Sequence, residues 1–147
     1  MSAQREKRIC RAALYLRLSR DDDGARESAS IASQRSQLLR FAAERGYAIA
    51  GEYVDDGYPG TSFARPGFLA LIADIEAGNT DLVLVKDLSR LGRDYLVTGQ
   101  YTEVYFPSKG VRCIAVDDGY DSAGAGTDIA PLRNVLNEMY ARDISRK

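Results

Sequence analysis

Three short stretches of this chain concentrate the residue types that can do chemistry. The first is Tyr15-Leu16-Arg17-Leu18-Ser19. In a strand alternate side chains share a face, so Tyr15, Arg17 and Ser19 are co-facial, with Ser19 where the strand meets the next loop. The second is Lys86-Asp87-Leu88-Ser89-Arg90-Leu91-Gly92-Arg93-Asp94. As a helical turn it sets Arg90 and Arg93 at i and i+3 on one side, and gives Leu88 and Leu91 the same spacing toward a core. The third, Ser30-Ile31-Ala32-Ser33-Gln34, opens a helix. Helix N-termini favour anions, although Ser28 or Ser30 as an N-cap explains the serines without any function, and Gln34 also fits an ordinary surface position. Asp55 and Arg65 flank a further loop and are read as polar groups at a crevice rim, the plain alternative being a turn aspartate and an arginine before a proline-started helix.

The chain contains no histidine. That excludes Ser-His-Asp and Cys-His catalysis and His-ligated zinc. Cys10 and Cys113 lie far apart and cannot build a four-cysteine site, and the Asp21–Asp23 run sits in a polar loop, where it is read as solvated rather than metal-binding. Any catalysis must use Ser, Thr, Tyr, Asp, Glu, Lys or Arg. Arginine is too basic to serve as an ordinary base, but its fork clamps phosphate and stabilises charge on the equatorial oxygens of a transferring phosphoryl group. A serine in an arginine cage with a glutamine beside it therefore reads as covalent, two-step phosphoryl transfer through a phosphoserine.

These residues need a scaffold that brings them together. Residues 9–16 form a mostly apolar run, read as a buried strand. Residues 19–28 are polar with a glycine, a loop, and residues 31–45 read as a helix ended by Gly46. A second strand is expected over 47–54 and a Gly/Pro-punctuated loop over 55–65. Pro66 then opens a helix whose Phe68, Leu71, Ile72 and Ile75 fall on one stripe, with Gly78 past its end. Leu82–Val85 is short and fully apolar, as at the centre of a parallel sheet. A charged loop carries Arg90 and Arg93, a third helix is expected over 95–108, a fourth strand over 111–116, and an acidic, glycine-rich loop over 117–128. Leu132, Val135, Leu136, Met139 and Tyr140 mark a final amphipathic helix that stops at Lys147 without a cap, so the natural chain is expected to continue.

Strand–helix alternation implies an α/β fold in three layers: a mostly parallel sheet of four to five strands with helices on both faces. Ligands of such sheets bind at the carboxyl ends of the strands. The loops holding Ser19, Asp55 and Arg90 all leave those ends, so the scattered clusters are expected to converge on one crevice.

With 147 residues the chain has the length of a single domain, and 45% hydrophobic and 28% charged residues mark it as globular. It has neither the long apolar run of a membrane span nor that of a secretory signal, and two cysteines without CxxC spacing suggest a reduced, cytoplasmic setting. The net charge of −1 argues against strong nucleic-acid binding by this piece alone. Yet sixteen of the twenty basic residues are arginine, the side chain suited to planar recognition of phosphate; biased codon usage would give the same excess.

The order YLRLS, SIxxQ, then a strand followed by LSRLGRD resembles the catalytic domain of the serine site-specific recombinases, the resolvase/invertase family, most of all the large members found in transposons and phages. The resemblance runs from about residue 9 to residue 147. It implies a resolvase-like fold, with residues 1–8 a flexible N-terminus, 9–128 the catalytic domain and 129–147 the start of a long dimerisation and linker helix. A DNA-binding region would follow outside this chain. It implies that Ser19 attacks a DNA phosphodiester, giving a 5′-phosphoserine link and a free 3′-hydroxyl, while Arg17, Arg90 and Arg93 surround the phosphate and Gln34 supports the site. Asp55, Arg65 and Asp81 match charged positions of the family's site region, and Ser30 and Lys86 count as supporting residues. No metal, ATP or other cofactor is implied. The implied partners are double-stranded DNA, through the full-length protein, and further copies of the chain, as dimer and synaptic tetramer; no membrane is implied.

Two departures separate the chain from the small resolvases, which carry an aspartate where Ser89 stands and often a glutamine at the position of Ala29. The general acid and base are therefore unassigned. Other readings are a catalytically silent recombinase-like domain and a small-molecule phosphate-binding α/β domain. The latter lacks GxGxxG and GxxxxGK[ST] after any strand.

Overall fold

The computed structural model describes residues 9–18, 30–59 and 63–123. The elements run β1 (Arg11–Leu18), α1 (Ile31–Arg45), β2 (Ala48–Asp56), α2 (Pro66–Glu76), β3 (Leu82–Val85), α3 (Leu88–Leu91), α4 (Tyr95–Gln100), a π-helical turn (Tyr101–Tyr105), α5 (Phe106–Ser108), β4 (Arg112–Ala115) and β5 (Tyr120–Asp121). They build a five-stranded sheet in the order β2-β1-β3-β4-β5. The first four strands are parallel and β5 runs antiparallel to β4.

Alternation along β1 divides the core between the two faces of the sheet. Ala12, Leu14 and Leu16 pack with Leu38 and Ala42 of α1. Ala13 and Tyr15 face the other way, onto Phe68, Leu71 and Ile75 of α2, Leu88 and Leu91 of α3, and Phe106. The three layers expected from strand–helix alternation are thus formed. β3, all four residues buried, lies between β1 and β4.

The strands extend past their apolar runs. β1 reaches Leu18 rather than residue 16, and β2 reaches Asp56 rather than residue 54, because backbone pairing continues through Arg17↔Asp55 and Leu18↔Asp56. Hydropathy ends where side chains become charged; the ladder does not. The expected acidic loop after residue 116 holds a short strand as well: Ile114 pairs with Asp121 and Ala115 with Tyr120, whose ring is buried. The helix expected over 95–108 is interrupted by the π turn, where Tyr101 stacks on Phe63 and meets Phe68 edge-on. Inside it the buried Thr98 and Thr102 hydroxyls donate to Gly92 O and Thr98 O, at 3.1 Å each.

The expected loop 86–94 contains one helical turn, α3, which buries Leu88 and Leu91 as their spacing requires. It ends at Gly92, where a Cβ would lie 2.1 Å from the ring of Phe63, so only glycine fits. Arg93 therefore lies beyond the turn, and the helical i, i+3 relation with Arg90 does not hold. Residues 1–8, Ser19 with the loop 19–28, Ala29, and the helix expected over 129–147 lie outside the described residues.

Candidate active site

The carboxyl ends of β1, β2 and β3 gather a buried polar cluster. Arg17, on the last full turn of the β1 pleat, has no exposed surface. Its Nε donates to Arg90 O at 3.0 Å, Nη1 to Tyr58 O at 2.9 Å and Nη2 to Ser89 O at 2.7 Å. Burial, with the guanidiniums of Arg65, Arg90 and Arg93 adding to it, pushes its pKa down to about 10, which leaves it charged at neutral pH. Arg90 returns the contact, its Nη1 donating to Arg17 O at 3.1 Å, and its Nε lies 3.6 Å from Asp87. Arg93 is half-buried and close enough to bear on Arg17 electrostatically. Ser89 Oγ donates to Asp87, a pair that the sequence reading did not single out.

Gln34 is a clamp rather than a surface residue. It is fully buried on α1, accepts from Arg17 N–H at 3.3 Å and donates its Nε2 to Arg17 O at 3.0 Å. Arg17 is thus gripped through its backbone from the α1 face and through its side chain from the α3 face. Ser19 follows directly after Leu18, the last residue of β1, and itself lies outside the described residues.

Asp55 and Arg65 are not at a rim. Their exposures are 0% and 1%, and the depth has a physical reason. Asp55 accepts from Gly67 N–H at 2.7 Å, Phe68 N–H at 2.9 Å and Tyr15 Oη at 2.7 Å, so the first turn of α2 and a phenol satisfy its charge. A Cβ on Gly67 would come within 2.9 Å of both Asp55 Oδ2 and Val54 O, which explains the glycine after Pro66. Arg65 donates to Tyr15 Oη at 2.6 Å, to Arg90 O at 3.2 Å and to Leu91 O. Its guanidinium lies 5.0 Å from the ring centroid of Phe63 and 5.2 Å from that of Phe68. Burial lowers the pKa of Arg65 and, as the leading cause, drives that of the Tyr15 hydroxyl far up. The phenol therefore stays protonated between its two charged neighbours.

The remaining candidates fall outside this cluster. Ser30 is the N-cap of α1, accepting from Ser33 N–H at 3.1 Å, which decides between Ser28 and Ser30 on the described side and gives the serine its structural role. Lys86, at the exit of β3, pairs with Asp117. Asp81 lies at the wrong end of the sheet: a residue just before a parallel strand sits at that strand's amino end. There it accepts from Arg11 N–H at 2.9 Å and Arg11 Nε at 3.0 Å.

The family model described as "Resolvase, N terminal domain" matches residues 12–147. The chain belongs to the resolvase family. Among solved structures, this resolvase domain is similar to the N-terminal catalytic domain of TP901-1 integrase, with a TM-score of 0.71, 27% identity, and coverage of 92% of this chain and 95% of that one. A resolvase family site-specific recombinase from Streptococcus pneumoniae gives a TM-score of 0.68 at 31% identity over 92% of this chain and 91% of that chain. The C-terminal catalytic domain of ISC1926 TnpA, an IS607-like serine recombinase, gives 0.60 at 28% identity over 72% and 68%. Both the serine recombinase resemblance of the motifs and the resolvase-like α/β fold are thereby established. Among the described residues of the domain, no helix is long and apolar enough to cross a membrane.

Proposed function

We propose that this resolvase domain cleaves and rejoins DNA in site-specific recombination or transposition, with Ser19 as nucleophile. The supporting observation is the convergence of Arg17 and Arg90, 73 positions apart, in mutual hydrogen bonds two residues before Ser19. The Ser19 hydroxyl loses its proton as its oxygen attacks phosphorus, the bond from phosphorus to the 3′-oxygen breaks, and that oxygen takes up one proton to leave as a hydroxyl, so the step is proton-neutral overall. One phosphodiester is exchanged for another, so the bond energy is kept for rejoining and no ATP is required.

Arg90 and Arg93 meet the phosphate, and Gln34 holds β1 in register beneath them. Arg17 joins them by exchanging its carbonyl partners at Tyr58 and Ser89 for phosphate oxygens, which as anions accept stronger hydrogen bonds from a guanidinium. Asp55, Arg65 and Tyr15 form the floor of the site. No cofactor takes part. Residues 9–128 form the catalytic unit and the segment 129–147 serves dimerisation. The full protein binds duplex DNA and assembles as dimer and synaptic tetramer in the cytoplasm of a prokaryotic cell. A domain of net charge −1 binds duplex only in the nonspecific range of roughly 10⁻⁴ to 10⁻⁶ M.

The test is cleavage of a cognate duplex by the full protein in excess EDTA. The expected product is protein joined to the 5′ end, with a 3′-hydroxyl that a polymerase extends. Magnesium-dependent cleavage, or breaks with no protein attached, would overturn the proposal.

A further inference from the structure

The two carboxylates of the β4–β5 turn have no part in the chemistry proposed above, yet they hold the segment that carries it. Helix α3 is four residues long, too short to support itself. Its N-cap residue, Asp87, makes no side-chain bond to the helix's own N–H groups. The cap comes instead from 30 positions away: Asp118 Oδ2 accepts the Leu88 N–H at 2.7 Å. Asp117 accepts from Gln37 Nε2 of α1 at 2.7 Å and from the Lys86 ammonium. The backbone of the same turn donates to the exit of β3, Asp117 N–H to Lys86 O at 2.7 Å and Val116 N–H to Val85 O at 3.0 Å. At its other end, α3 presents the Ser89, Arg90 and Leu91 carbonyls to Arg17 and Arg65.

We propose that Asp118, steadied by Asp117, is a positioning residue for the recombination reaction: by capping α3 it sets the aim of Arg90 and presents the carbonyls on which Arg17 rests. The role rests on the recombinase reading above. An acceptor oxygen is what the cap requires, and a charged acceptor makes the stronger bond. Removing it leaves the Leu88 N–H without its partner and α3 free to turn about the contacts at its far end. Asparagine at 118 keeps an oxygen in place; alanine does not.

Two readouts on the full protein decide this. The first is hydrogen exchange of the buried Arg17 Nε–H by NMR, which needs no activity. The second is single-turnover cleavage at saturating DNA. Asp118→Ala should speed the exchange and slow cleavage, each by about tenfold, with DNA occupancy unchanged. Asp118→Asn should restore most of both. Arg112→Ala, which opens the Arg112–Asp121 pair in the same hairpin, should move neither. Unchanged Arg17 exchange in Asp118→Ala overturns the inference, as does an equal response to Arg112→Ala, which would mean general loosening of the hairpin. If the unaltered protein forms no adduct with DNA, the recombinase reading fails, and the Arg17 exchange alone then decides whether Asp118 sets the turn.

Discussion

The two ends of the sheet treat arginine in opposite ways. At the amino end, Arg11 pairs with Asp81 at 3.0 Å and Arg112 with Asp121 at 2.5 Å. These side chains are partly exposed, and hydrogen bonds to the carboxylates raise the pKa of both arginines. At the carboxyl end, Arg17 is wholly buried and each of its three nitrogens donates to a backbone carbonyl. Burial and neighbouring guanidiniums lower its pKa, and burial lowers that of Arg65. A carboxylate cancels an arginine's charge, whereas a carbonyl satisfies its hydrogen bonds and leaves the charge in place. The amino end is neutralised and holds strands together. The carboxyl end holds Arg17, Arg65 and Arg90 in a poorly solvated place, with Asp55 and Asp87 offsetting only part of their charge, at a cost in stability that an arriving anion would offset.

The contrast can be broken by substitution, taking the largest effect first. Asp55→Ala strands two N–H groups, a phenol and Arg65 in the interior, and should cost about 3–5 kcal/mol by urea unfolding. The same change at Asp81, whose side chain is 24% exposed and whose partner Arg11 is 41% exposed, should cost about 1 kcal/mol or less. Equal losses would erase the distinction. Arg90→Lys keeps the charge but loses the fork and should cut single-turnover cleavage by about 10²–10³, while Arg112→Lys leaves the rate unchanged. Gln34→Ala leaves the Arg17 N–H and C=O without their partner and should cost about 1–3 kcal/mol. A smaller loss would mean that water replaces the clamp.

The smallest effect is a pH dependence from two carboxylates of the β4–β5 hairpin, Asp121 at the amino end of the sheet and Asp117 at the carboxyl end. Hydrogen bonds from Arg112 hold Asp121 below the usual carboxylate range. At Asp117 burial pushes the other way, but the bonds from Lys86 and Gln37 outweigh it and the pKa is again lowered. A carboxylate whose folded pKa is depressed stabilises the fold fully above the unfolded value, near 3.9, and loses that contribution as pH falls through the folded value. The unfolding midpoint should therefore be flat from neutrality down to about pH 5 and fall below pH 4. Asp121→Asn should flatten part of that fall.

Much of the fold could be read from the sequence because it rests on local pattern. Leu82–Val85 is apolar throughout, Pro66 opens α2, and Gly46 closes α1 with a positive φ of 75°. That Arg17 at the end of β1 and Arg90 after β3 would meet followed from strand direction, whereas Gln34, on α1, was tied to them only by the family resemblance. What escaped depends on partners distant in sequence. Asp55 and Arg65 read as groups at a crevice rim, since nothing local shows that the α2 N-terminus and the α3 carbonyls would satisfy them in the interior. The same holds for Asp118, whose partner lies 30 positions earlier, and for β5, which forms only because β4 offers it an edge. Asp81, matched to the site region by resemblance alone, precedes a parallel strand and so lies at the amino end, where it holds Arg11. The π turn left no mark in the apolar periodicity, because its buried Thr102, like Thr98 of α4 before it, is polar in type.

The central claim is that the charge concentrated at the carboxyl end serves a covalent transfer through the residue that follows β1. It is tested most directly by Ser19→Ala in the full protein, mixed with a nicked cognate duplex that traps the covalent intermediate. The unaltered protein should yield an adduct whose DNA-linked peptide maps to Ser19. The alanine variant should keep its unfolding midpoint and its occupancy of the DNA site and yield no adduct. An adduct that persists in Ser19→Ala, or that maps to another residue, would contradict the account.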